Sequence, residues 1–172
     1  GDAGVTVPAN GAFVLGPPQS VATMSDGSSQ TIAGSEQLLG TAAGGASTQT
    51  GVAGLPPNIQ RMAVMTTAVL SDAGCAAPTG WRLDKGNGWW DGDYRSTLYN
   101  HYLTPNMKRP DCWPNSPPHN PAWKAARSNH PGGVNGLFCD GHVQFVKDSV
   151  SLVTWRAVST RASGEVVSSD AF

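Results

Sequence analysis

The chain has 172 residues, a formal net charge of -1 and only 13% charged residues. That size can bury one real core, and a charge content about half the usual ~25% leaves no basic face for nucleic acid or an acidic lipid surface. Its 21 glycines and 13 prolines point to a loop-rich β protein rather than a helical bundle, and no run approaches the ~18 apolar residues of a membrane-spanning helix.

Residues 1–16 read as irregular, with a short strand at 12–15 that Pro17 and Pro18 end. Residues 21–25 are a short extended or helical piece. Asp26 and Gly27 lie in a turn over residues 25–28. Residues 30–36 are a strand candidate, with Thr31, Ala33 and Ser35 on one face and Ile32 and Gly34 on the other. Residues 41–54, rich in Gly, Ala, Ser and Thr, form a flexible loop that requires no domain boundary. Asn58 can cap a helix running to about Ser71. Its apolar stripe is Ile59, Met62, Ala63, Thr66, Val69 and Leu70, with Met62 and Met65 as core filler.

Residues 74–126 form a long irregular loop holding five of the six tryptophans (Trp81, Trp89, Trp90, Trp113 and Trp123), with Tyr94, Tyr99, Tyr102, His101 and His119. Long loops of this kind are functional or tied down. The three cysteines fit no zinc spacing. Cys75 and Cys112 flank the loop and are the candidate disulfide, which would stabilise the fold by roughly 3–4 kcal/mol. Cys139 reads as a small apolar strand residue, or as a thiol that links two chains.

The organising stretch follows. Residues 134–139 and 142–146 are β-forming runs separated by Asp140-Gly141, the strongest short-range hairpin signal, and a type I′ turn is expected there. Val143, Phe145 and Lys147 alternate with His142, Gln144 and Val146, so one side can face a core. The more continuously apolar first run suits the centre of a sheet. Ser149 or Ser151 can cap a last helix through Arg161. Val150, Val153, Ala157 and Val158 form its stripe, Leu152 and Trp155 lie beside it, and Gly164 is its stop. Residues 165–172 are a candidate edge strand.

These motifs stand in a particular order. His130 is followed by nine residues and then Asp140-Gly141, an H-x9-DG pattern preceded by Asp26-Gly27-Ser28-Ser29-Gln30-Thr31-Ile32 with Glu36. Between them lie Trp90-Asp91-Gly92, Tyr99-Asn100-His101 and Leu103-Thr104-Pro105-Asn106. From about residue 10 to 172 the chain resembles the DUF1559 family, prepilin-processing-associated proteins found as large paralogous sets in planctomycetes. The resemblance implies a pilin-like globular head, an extracellular or cell-envelope location, and assembly with copies of itself or with paralogues. Related members begin with an apolar, FTLIELL-like helix. Gly1-Asp2-Ala3-Gly4 does not resemble it, so a processed, truncated or incompletely read form is expected.

Each candidate site has a structural reading beside its functional one. His130 and Asp140 would make a metal or catalytic pair, but ten extended residues set them roughly 30 Å apart. Asp140 is better explained by the turn, and His130 by a backbone hydrogen bond or by packing on Trp123 or Arg127. Asp26, Glu36 and Asp140 are turn carboxylates of the kind that bind calcium, though without EF-hand spacing. A buried Glu36 would need a partner such as Arg127 or Arg156. Trp89, Trp90, Tyr94 and Tyr99, next to Asp91 and Asp93, could stack on sugars. The competing reading makes them the roof of a satellite core. No nucleophile elbow, metalloprotease motif, P-loop or dinucleotide fingerprint occurs. The expectation is therefore a single non-catalytic α+β domain over residues 1–172, mainly antiparallel sheet with two or three packed helices. It would need no cofactor, bind no nucleic acid and act as a pseudopilin-like structural subunit, with polysaccharide binding through the loop 89–99 as the alternative.

Overall fold

The computed structural model describes residues 10–14, 18–41, 53–54, 56–67, 69–114, 121–168 and 171–172. In chain order the elements are β1 (Ile32–Ser35), β2 (Met62–Met65), α1 (Asp72–Ala76), β3 (Gly80–Arg82), β4 (Asp111–Pro114), β5 (Gly133–Phe138), β6 (Val143–Lys147) and α2 (Leu152–Ala157). This is a small α+β fold. It divides into two compact units: Gly1–Glu36, Asn100–Met107 and Ala125–Phe172 form the first, Gln37–Tyr99 and Lys108–Lys124 the second. Each unit has its own three-stranded sheet.

In the first unit the order is β1-β5-β6, all antiparallel, so β5 is the central strand. The expected hairpin is present, but its turn is not type I′. Only Gly141 has a positive φ, +93°; Asp140 does not. The Gly141 N–H donates to the Phe138 carbonyl and the Phe138 N–H to the His142 carbonyl, both at 2.9 Å. Cys139 and Asp140 thus form a tight turn and Gly141 takes the left-handed position after it, the usual three-residue hairpin loop. Val134, Phe138 and Val146 face inward and are buried, as are Ile32, Val150, Trp155 and Val158. Each large apolar side chain so buried stabilises the unit by about 1.5–3 kcal/mol. The register between β1 and β5 slips between Ile32 and Gly34, and Thr31, just before β1, is buried like Ile32 with its hydroxyl donating to the Gly27 and Thr160 carbonyls, so the expected alternation is lost.

In the second unit the order is β3-β2-β4, with β2 antiparallel to β3 and parallel to β4. Here the expected helix over residues 58–71 is overturned. Met62, Ala63, Val64 and Met65 are all buried, because β2 is the central strand and needs apolar residues on both faces. Asn58 Oδ1 does accept a backbone N–H, from Gln60 at 2.8 Å, but it closes a turn. Thr66 and Val69, placed in the helical stripe, are exposed, and the helix starts only after Ser71, whose side chain accepts from the Gly74 N–H. Met62 and Val64 pack with Trp113 and Ala122. The expected disulfide between Cys75 and Cys112 is formed, with Cα atoms 5.6 Å apart, and Cys139 is a free thiol.

Other corrections are local. Residues 11–13 are bends rather than a strand, residue 15 lying outside the described residues. The last helix is capped by Ser151 and ends at Ala157, not Arg161. Val153 is 81% exposed while Trp155 is fully buried, so the buried stripe runs through Trp155. Gly164 has φ +82° just after a bend at residues 161–163 and stops no helix. Residues 165–168 are irregular, not an edge strand. Most of the loop expected over 41–54 lies outside the described residues.

Candidate functional site

Glu36 follows β1 and meets the start of β5. Its Oε2 accepts the Asn135 backbone N–H at 2.8 Å, and its Oε1 accepts Asn135 Nδ2 at 3.3 Å and His130 Nε2 at 3.0 Å. Partial burial pushes this carboxyl up, but the Asn135 backbone, the Asn135 amide and His130 together hold it below the usual carboxylate range. Of the expected arginine partners, Arg127 gives its backbone N–H to the Glu36 carbonyl at 2.8 Å and its Nη1 to the Met107 carbonyl, while Arg156 Nη2 donates to the Tyr102 carbonyl. The His130 ring pairs with the Glu36 side-chain carboxylate rather than with a backbone group.

Asp140 sits at the other end of β5 and does not meet His130. Its Oδ1 accepts the His142 backbone N–H at 3.1 Å and His142 Nδ1 at 2.6 Å. These two bonds, backbone first, lower its pKa. The His142 ring stacks on Phe138 at 4.3 Å. Asp140 is thus explained by an Asx-type turn closed on His142, not by the φ requirement of a type I′ turn. Asp26 joins the two ends of the unit: it accepts the backbone N–H groups of Ser163 at 2.7 Å and Gly164 at 2.8 Å. Gly27 beside it has φ +98°. Asp26, Glu36 and Asp140 are thus engaged with three different sets of partners rather than grouped for calcium. Among the described residues no group of three or more His, Cys, Asp or Glu is placed to hold a metal.

The hairpin has a second face. Leu137 pairs with Val143, and Asn135 with Phe145. Leu137, Val143 and Phe145 are 43%, 61% and 42% exposed, so three apolar side chains of the β5–β6 ribbon lie open to solvent. The Phe145 ring lies over Gly133, where a Cβ would come within 2.7 Å of it. β6 ends the sheet order, so its outer edge carries no strand among the described residues.

The aromatic loop of the second unit does not act as one cluster. Trp89 and Trp90 are 80% and 73% exposed and meet edge to face, centroids 5.8 Å apart. They roof no core. Tyr94 does, packing partly buried against the Met62, Val64, Trp113 and Ala122 cluster. Tyr99 is half-buried. Asp91 is held by Arg95 at 3.2 Å, and Asp93 by the Arg95 backbone at 2.8 Å.

The family model described as "Protein of unknown function (DUF1559)" matches residues 1–152. The chain belongs to the DUF1559 family. No curated protein and no solved structure matches it. Among the described residues, no helix of this DUF1559 chain is long and apolar enough to cross a membrane.

Sequence reasoning missed the buried charges. Arg82 and Asp84 form a two-point ion pair, 2.6 and 3.0 Å, with both side chains almost fully buried. Lys85 Nζ lies 2.8 Å from Asp111 Oδ2, both without solvent exposure. In the first unit of this DUF1559 fold, the His101 ring stacks 3.6 Å from Trp155 and its Nδ1 donates to the Trp155 carbonyl. Burial pushes His101 down to about 3. No spacing in the sequence marks these groups; only their rarity in a chain with 13% charged residues does.

Proposed function

We propose that this DUF1559 chain is a pseudopilin-like structural subunit, non-catalytic, that assembles with copies of itself or with paralogues into a filament or surface layer of the cell envelope. The observation that carries the reading is the open apolar row Leu137, Val143 and Phe145 on a ribbon whose β6 lies at the sheet edge. An exposed apolar edge ribbon is a template for strand addition and a costly surface to leave in water. The motif carboxylates support it too, since Asp26, Glu36 and Asp140 hold backbone and neighbouring side chains. The Cys75–Cys112 disulfide suits an oxidising, extracytoplasmic compartment. Light scattering across a concentration series, with electron microscopy of the concentrated sample, tests this. Association that Val143→Glu and Phe145→Glu weaken is expected; a strict monomer with no filament or lattice at the highest concentration refutes the reading.

The exposure of Trp89 and Trp90 favours a second reading, a surface module that binds polysaccharide. Indole faces stack on the apolar faces of sugar rings. Titration with complex glycans should quench tryptophan fluorescence, and Trp89→Ala with Trp90→Ala should abolish the change. If those substitutions leave binding and fluorescence unaltered, this reading fails.

A further inference from the structure

Lys85 lies in the turn after β3 and Asp111 opens β4. Met62 of β2 pairs with Arg82 on one side and with Asp111 on the other, so Asp111 lies beside the central strand of the second sheet and Lys85 follows three residues after the strand on its other side. The Lys85 Nζ stands 2.8 Å from Asp111 Oδ2 and also donates to the Ile59 carbonyl at 2.7 Å. Neither side chain reaches solvent. A second amine, that of Lys124, is fully buried in the same unit and donates to the Ser96 carbonyl at 2.7 Å.

Holding two charges out of water costs several kcal/mol per ion, offset only by their mutual attraction and hydrogen bonds. The same arrangement places an amine against a carboxyl carbon with water excluded. Fixed, dry juxtaposition of that kind is equivalent to a very high local concentration of the two groups. We propose that Lys85 and Asp111 are the site of an intramolecular amide cross-link that the protein forms on its own.

The step balances without any further reactant. The Lys85 nitrogen attacks Asp111 Cγ, a C–N bond forms and one Cγ–O bond breaks. The ammonium nitrogen gives up two protons, which leave with the departing carboxylate oxygen as water. No oxidant, reductant or cofactor takes part. The product replaces a buried ion pair with a neutral amide. It also gives β4 two covalent ties at successive positions, Asp111 to Lys85 and Cys112 to Cys75.

Intact mass spectrometry of the purified, reduced protein tests the proposal. The expected mass is one water below that of the sequence. Tryptic digestion should yield a branched peptide joining residues 83–95 to residues 109–124 through Lys85 and Asp111. Lys85→Arg, whose guanidinium is not a nucleophile, should show the full mass of its own sequence and three separate peptides, 83–85, 86–95 and 109–124. A parent protein at full mass with no branched peptide overturns the proposal, and that measurement stands whether or not the variant folds. A water loss that persists in Lys85→Arg overturns it equally, because the dehydration then lies elsewhere.

Discussion

Glu36→Gln tests how the first unit is held. The substitution keeps size and shape but removes the charge and one acceptor oxygen. In the parent, Oε2 serves the Asn135 N–H at 2.8 Å while Oε1 serves His130 and the Asn135 amide at 3.0 and 3.3 Å. A glutamine has one acceptor oxygen, so it must leave the backbone donor or the two side-chain donors facing an NH2 group. A hydrogen bond to a charged group is worth about 1.5–3 kcal/mol. The Glu36 side chain is 34% exposed, so water and salt discount that figure. A net loss of about 1–2 kcal/mol at neutral pH follows. It should be read as a shift in the urea midpoint at unchanged slope. The pH dependence supplies a second check. Glu36 is held below its ordinary value of 4.5, so its contribution is present above that value and is lost as pH falls through the depressed one. Parent and variant should therefore converge in acid. Equal midpoints at neutral pH, or a gap that survives undiminished in acid, would refute the reasoning.

Cys75→Ala with Cys112→Ala opens a loop of sequence separation 37 and should cost about 4 kcal/mol in the chain-entropy account, read by thermal or urea unfolding against the oxidised parent. His101, buried neutral with a pKa of about 3 against an ordinary 6.5, contributes stability that is complete above 6.5 and falls as pH drops towards 3. The slope should reach up to about 1.4 kcal/mol per pH unit in that window, and a His101→Gln variant should lack it. Gly141→Ala places a Cβ at φ +93° and should destabilise the hairpin by about 1–2 kcal/mol, with the loss shown by hydrogen exchange in residues 133–147.

The features legible in the sequence were those decided by near neighbours. Asp140-Gly141 between alternating apolar residues announces a hairpin because turn and strands lie within 15 residues of one another. The finer turn type was not legible, since Asp-Gly also suits the loop in which only the glycine is left-handed. Met62 to Met65 is the opposite case. A short apolar run satisfies a helical stripe as well as a buried strand. What decides is pairing with residues 80–82 on one side and 111–114 on the other, and nothing local encodes that. The polar partners were hidden for the same reason. Glu36 finds Asn135 at a separation of 99 residues, and arginine was the natural guess only because it is the commoner mate for a carboxylate. Exposure was hidden too: Trp89 and Trp90 differ from Tyr94 in whether a core lies beneath them, which residue type does not say.

Asp26 shows why a motif letter can lie far from anything that explains it. Its best acceptor bonds go to the backbone N–H groups of Ser163 and Gly164, at separations of 137 and 138 residues, and any non-proline residue offers such a donor. The match to the DUF1559 model ends at residue 152, before those donors begin. A segment read only through its backbone need carry no particular side chain at those positions. In the full chain, Asp26→Ala should cost about 1–2 kcal/mol, the value of two charge-assisted bonds discounted for exposed donors. In a chain ending at Ser159 the donors are gone, and the same substitution should cost almost nothing. The difference is the coupling energy of a double-mutant cycle. Equal costs in the two chains would mean that Asp26 acts through its own turn beside Gly27, and that the closure onto residues 160–164 contributes no stability.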